Sequence, residues 1–222
     1  MTSAKIWTLR IGLLLPVVLV VAAAVPRLVS GLALESAFPV PAYIVKNVTL
    51  PRRSYATAAA VLAHADSRDG ETQILRAEAA HMGGAPDGQV IPIVENGLRH
   101  DPASARGWTL LSELLLPTDQ ARAGKMLTTA LELGPYDYFL AGRRARDGAR
   151  LWDLIPQDGQ SLLLRQARLL WTETQLRDQL IPLLDTPRGA VLMTRALDDD
   201  PRQIRDLNRW VARHRFRIGP QN

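Results

Sequence analysis

An unbroken uncharged run from Ile11 to Val25, preceded by Lys5 and Arg10 and resumed from Leu28 to Leu34, most restricts how this 222-residue chain can fold. At 1.5 Å per residue the stretch 11–34 would rise about 36 Å as a helix, enough to cross a hydrocarbon core of about 30 Å with some tilt. Trp7 suits the near interface, and Arg27 would snorkel to the far one. Small residues at Ala22 and Ala24, or Gly31 and Ala33, would also serve a cleaved signal peptide. Pro26 directly after the first of these sites, and the apolar run that resumes beyond it, favour an uncleaved anchor. Lys5 and Arg10 outweigh Arg27 and Glu35, which orients the N-terminus to the cytoplasm. The expected plan is a cytoplasmic segment 1–10, a transmembrane helix 11–34, an extended stalk 35–53 and a helical domain 54–222, anchored in a bacterial inner membrane with the domain in the periplasm.

Composition narrows the chemistry open to the rest of the chain. Without cysteine it has no disulfide framework and no thiolate catalysis or metal site. Its formal net charge of +5 is too mild for a dedicated nucleic-acid binder. Pro39, Pro41 and Pro51 forbid a continuous helix through the stalk, where β-branched and aromatic residues suit an extended path. From Ser54 onward the apolar period is helical. Helices are expected over 54–65 and 71–82, then through Val90, Ile93, Val94 and Leu98, with Gly83 to Gly88 as a turn. Asp101 is expected to cap the next helix, with Pro102 at its first position.

A repeat emerges from this pattern. Gly97-Leu98-Arg99-His100-Asp101-Pro102 aligns with Ala130-Leu131-Glu132-Leu133-Gly134-Pro135, 33 residues later. Between the prolines, Trp108, Leu111 and Leu115 share one helix face, and Ala123, Leu127 and Ala130 follow on the next helix. This resembles the tetratricopeptide repeat, although Ser112 stands where that motif prefers Gly. The resemblance implies an all-α fold: after the transmembrane helix, an α-solenoid of degenerate helix pairs near 71–100, 102–133, 137–155, 160–184 and 187–212, each burying its apolar face on the next. With Asp101 to Trp108 and Leu162 to Trp171, the plan also resembles small anchored accessory proteins of bacterial exopolysaccharide synthesis and export systems.

Catalytic constellations are thin. His64, His81, His100 and His214 are scattered, with no pair spaced to chelate zinc. Asp198, Asp199 and Asp200 lack the pattern of a calcium loop and suit the start of the following helix. No nucleophile elbow, P-loop or dinucleotide fingerprint occurs, so no enzyme, metal or cofactor is expected. Binding is the remaining possibility. Arg202, Arg205, Arg209 and Arg213 fall within about 80° of one another on a helical wheel, opposite Ile204, Leu207, Trp210 and Val211. Such a ladder pairs with carboxylates, phosphates or acidic polysaccharide, with Arg215 and Arg217 extending it. Arg143, Arg144, Arg146 and Arg150 form a second basic cluster. Tyr136 and Tyr138, after a Gly-Pro break, are candidates for a partner groove.

The expected function is a membrane-anchored, non-enzymatic scaffold that docks protein partners of an inner-membrane complex, with no nucleic acid involved. Its alternatives are a peptide-binding maturation chaperone of the cytochrome c assembly type, a binder of acidic glycan, and a polysaccharide-modifying enzyme that would need two close, partly buried carboxylates.

Overall fold

A computed structural model describes residues 50–64 and 68–215, together with isolated helical positions at 21, 24, 25, 28 and 32. Among the described residues the secondary structure is α-helix and 3-10 turn, with no strand, so the expectation of an all-α domain holds. The expectation of a transmembrane helix is corrected: among the described residues no helix is long and apolar enough to cross a membrane. The longest, Gln157–Thr172, has 16 residues and rises about 24 Å at 1.5 Å per residue, with Arg165 and Arg168 inside it. Most of the span 11–34, the segment 1–10, the stalk up to residue 49 and Arg217 lie outside the described residues.

The chain divides into two compact units, Met1–Pro102 and Ala103–Asn222. In the first, α1 (Arg52–Leu62), α2 (Gly70–Met82) and α3 (Asp87–His100) pack in sequence. Tyr55, Ala58 and Leu62 of α1 bury themselves against Leu75 and Ala79 of α2, and the Tyr55 hydroxyl accepts from the Leu50 backbone N–H at 2.9 Å. Asp69 starts α2 by accepting from the Thr72 N–H at 3.2 Å. The other face of α2 meets α3 where two glycines allow it. A Cβ on Gly70 would lie 2.6 Å from the Asp101 Cβ and 2.8 Å from the Gly97 carbonyl oxygen. Ile74, Ala77, Val90 and Val94 fill the seam with at most 1% exposure. Burial of Ile74, Val90 and Val94 is worth about 1.5–3 kcal/mol each.

The second unit begins with a hairpin of α4 (Ala105–Leu115) and α5 (Gln120–Leu133). Its start corrects the expected cap: Ser104, not Asp101, accepts from the N–H of Gly107, and Asp101 instead closes α3 by donating its backbone N–H to Gly97. Pro102 therefore sits in the turn between the helices. Leu110, Leu111 and Leu114 of α4 face Ala123, Leu127, Ala130 and Leu131 of α5, all buried. Ser112, which departs from the repeat motif, is fully buried and donates its hydroxyl to the Ala123 carbonyl at 2.9 Å.

Beyond residue 135 the expected pairing changes form. The stretch 137–155 holds one helix, α6 (Ala141–Leu151), followed by a 3-10 turn at Trp152–Leu154. The stretch 160–184 holds the long α7 (Gln157–Thr172), a 3-10 turn at Thr174–Gln179 and the short α8 (Leu180–Leu184). Two helices, α9 (Pro187–Ala196) and α10 (Pro201–Arg215), complete the described chain. α7 is central, packing on α5, α6 and α9. Thr186 caps α9 with Pro187 at its first position, and Arg168 of α7 donates to the Ala196 carbonyl at its end.

Candidate anion-binding groove

The last turn of α7 places Trp171 inward, at 6% exposure, where its ring meets that of Trp210 from α10 edge to face with centroids 6.3 Å apart. Such pairs are worth about 0.5–1.5 kcal/mol beyond their buried area. Arg177, from the 3-10 turn after α7, lies over the Trp171 ring at 4.5 Å and donates its Nε–H to the Trp171 carbonyl at 3.0 Å. One turn of chain thus supplies both the aromatic floor and the cation stacked on it.

The sequence of α10 explains the opposite wall. Asp200 accepts from the Arg202 N–H at 2.9 Å and from the Gln203 side chain at 3.0 Å, which starts the helix in register and holds the Asp200 carboxyl below its ordinary value. Leu207 and Trp210 then turn inward, while Arg202, Arg205, Arg209 and Arg213 are exposed. Arg209 and Arg213 join Arg177, Trp171, Trp210 and Asp206 around a cavity of about 660 Å³. Asp206 ion-pairs with Arg209, and Arg213 donates to the Arg209 carbonyl. Three guanidiniums therefore face one carboxylate.

The structure separates the other predicted residues. Arg202 and Arg205 share the exposed face of α10 but do not line the cavity. Tyr136 and Tyr138 are 72% and 41% exposed and do not line it. Tyr136 borders a smaller cavity of about 100 Å³ beside Leu162, Arg165 and Leu169, and the Tyr138 carbonyl accepts from Gln179 at 3.2 Å. Arg177 was not singled out by the sequence. It lies beyond a helix end, and nothing in a helical wheel links it to residues some thirty positions later.

The second basic cluster is not a surface patch. Arg144 is fully buried: its Nε donates to the Thr109 hydroxyl at 2.8 Å and its Nη atoms to the Gly134 and Ala105 carbonyls at 2.6 and 3.3 Å. Burial lowers its pKa to about 10, so it stays charged at neutral pH. Arg143 pairs with Glu113 at 2.5 Å, Arg146 is half-buried and Arg150 is exposed. Asp147, 3% exposed with its Oδ2 unpartnered, has its carboxyl pushed up to about 6, first by burial and then by the charge of Glu113. Two neighbouring carboxylates of unlike environment are the raw material of acid–base catalysis. Yet Asp147 is sealed in the packing of α6, and neither it nor Glu113 lines any of the three cavities described in this unit. Among the described residues no group of side chains is arranged to hold a metal ion.

No protein-family model, curated protein or solved structure matches the chain.

Proposed function

We propose that the chain is a non-enzymatic docking protein, built of repeat-like helix hairpins, that holds acidic segments of protein partners in the groove between α10 and the end of α7. The observation that carries this reading is the charge of that groove: Arg177, Arg209 and Arg213 line one cavity in which Asp206 is the single acidic lining residue. Guanidiniums recognise carboxylates through paired N–H donors.

The same arginines could attract an acidic polysaccharide, but the tryptophans argue for protein. Sugar rings bind by stacking on open aromatic faces, whereas Trp171 and Trp210 are 6% and 9% exposed and Arg177 already covers a face of Trp171. What the groove offers to a ligand is guanidinium edges above a closed floor. The test is fluorescence anisotropy with a labelled peptide of alternating Glu and Leu, run against a polyuronate of equal charge. The peptide is expected to bind, to weaken between 50 and 300 mM salt through screening, and to lose at least tenfold in affinity with Arg209→Glu plus Arg213→Glu. Binding that ignores both salt and these substitutions sinks the proposal, and preference for the polyuronate turns it toward glycan.

A further inference from the structure

A second cavity of about 240 Å³ lies between α9 and the 3-10 turn that follows α6, and its chemistry differs from that of the groove. Leu192 and Ala149 are buried at its base, Trp152 forms a half-buried wall, and Val191 stands 51% exposed at its rim. Arg188 and Arg195 lie seven residues apart on α9, so both project on the same face two turns from one another. Arg195 places its guanidinium 4.9 Å from the centre of the Trp152 ring. Arg188 uses one Nη to reach the Arg150 carbonyl at 3.1 Å and keeps its other donors. Neither arginine forms a salt bridge with a described carboxylate, although Asp153 also lines the cavity.

From these residues we infer that the cavity is a binding site for a small apolar monocarboxylate. The size sets the first limit: at about 240 Å³ the cavity lies below the usual range of pockets for larger ligands. The lining sets the second. An apolar body can cover Val191, Leu192 and the free edge of Trp152, while one carboxylate accepts N–H bonds from the two arginines. The balance of charge sets the third. Two guanidiniums against Asp153 leave a single positive charge uncompensated, which matches a monoanion. A neutral ligand lacks the charge-assisted pairing with the arginines, and a dianion meets Asp153.

Three probes that share one ring isolate the charge: phenylacetamide, phenylacetate and phenylmalonate, neutral, singly and doubly negative at pH 7.5. Each is titrated into the full chain by calorimetry and by ligand-observed NMR. Phenylacetate is expected to bind at least tenfold more tightly than either of the others. Arg195→Gln and Arg188→Gln should each weaken it about tenfold, and Asp153→Asn should selectively improve phenylmalonate. Arg209→Glu plus Arg213→Glu, which reverses the charge of the groove, should leave phenylacetate binding unchanged, so failure here is distinct from failure of the docking proposal. Unfolding curves of each variant confirm that it is folded. Equal or tighter binding of phenylmalonate by the native chain, indifference to Arg195→Gln in a folded variant, or no binding of phenylacetate at millimolar concentration would overturn the inference.

Discussion

The α4–α5 hairpin and α6 are neighbours in sequence and are both deeply buried, yet they are built from opposite materials. In the hairpin, leucines of one helix meet alanines and leucines of the other, and the polar side chains inside are two small hydroxyls, those of Thr109 and Ser112. In α6 the inward residues are Ala141, Gly142, Ala145, Gly148 and Ala149, and the large buried side chains are Arg144 and Asp147 beside Leu151. Small residues let other helices approach α6 closely, and a guanidinium then does by hydrogen bonding what a leucine does elsewhere by area. A helix can thus be central without being apolar, provided that each buried donor finds an acceptor.

The largest effect should come from removing the group that makes α6 viable. Arg144→Met keeps the length and loses the three hydrogen bonds donated to the Gly134 and Ala105 carbonyls and the Thr109 hydroxyl. Hydrogen bonds from a charged donor are worth about 1.5–3 kcal/mol each and overlap within one network, so a loss of about 3–5 kcal/mol is expected in urea unfolding of the intact chain. Arg144→Lys should recover little, because a point ammonium cannot span three acceptors set out for a planar fork. A neutral Arg144→Met would erase the contrast between the two regions.

That contrast also marks what the sequence could tell. The hairpins α2–α3 and α4–α5 were legible because apolar spacing and turn residues agree locally, and the 33-residue offset brought Gly97 and Ala130 to equivalent places. α6 was not legible as core: Arg143, Arg144, Arg146 and Arg150 read as one basic surface, since a wheel cannot say that four neighbouring helices surround a stretch. The small residues between the arginines were the available clue. On α10 the inward Leu207 and Trp210 and the outward arginines could be read from periodicity. Their meeting with Arg177 is tertiary and left no local trace. The cap at Asp101 failed because Asp101 and Ser104 both suit the role, and the turn between them decided which one serves.

Asp147 offers the next largest effect, with the opposite sign. Its carboxyl titrates near 6 in the folded chain against an ordinary value of 3.8. A raised acid pKa means that the folded state holds the proton longer, so the associated stability is present in full below about 3.8 and is lost as pH rises through 6. The difference corresponds to about 3 kcal/mol at most, because one pKa unit is about 1.4 kcal/mol. Asp147→Asn should therefore stabilise the chain by up to that amount at pH 8 and by almost nothing at pH 4. Parallel pH profiles for the two proteins would show instead that water or relaxation already offsets the cost of the buried charge.

A third test asks whether close approach matters as much in α6 as the absence of large side chains suggests. A Cβ on Gly148 would run into the Leu163 side chain of α7. Gly148→Ala gains about 1 kcal/mol of helix propensity but must displace that leucine, and overpacking of this kind costs about 1–3 kcal/mol. A net loss of about 1 kcal/mol is expected, and Leu163→Val in the same chain should restore part of it. If Gly148→Ala is stabilising, α6 has room to spare and its small residues are not what admits α7.

The smallest effect belongs to the hairpin, at the one position where it departs from the repeat pattern. Ser112→Ala removes the hydroxyl bonded to the Ala123 carbonyl, but that carbonyl lies inside α5 and keeps its helical donor, so the loss should be only about 0.5–1 kcal/mol. Ser112→Gly brings the chain closer to the tetratricopeptide pattern and should nevertheless be worse, since glycine in a helix interior costs about 1 kcal/mol relative to alanine. Thermal unfolding of the two variants side by side decides the matter. The order native, then Ala, then Gly means that this crossing has already adapted to a β-carbon. A more stable Gly variant would mean that the serine holds α4 and α5 apart, and the hairpin would then resemble α6 in being limited by how closely its helices can approach.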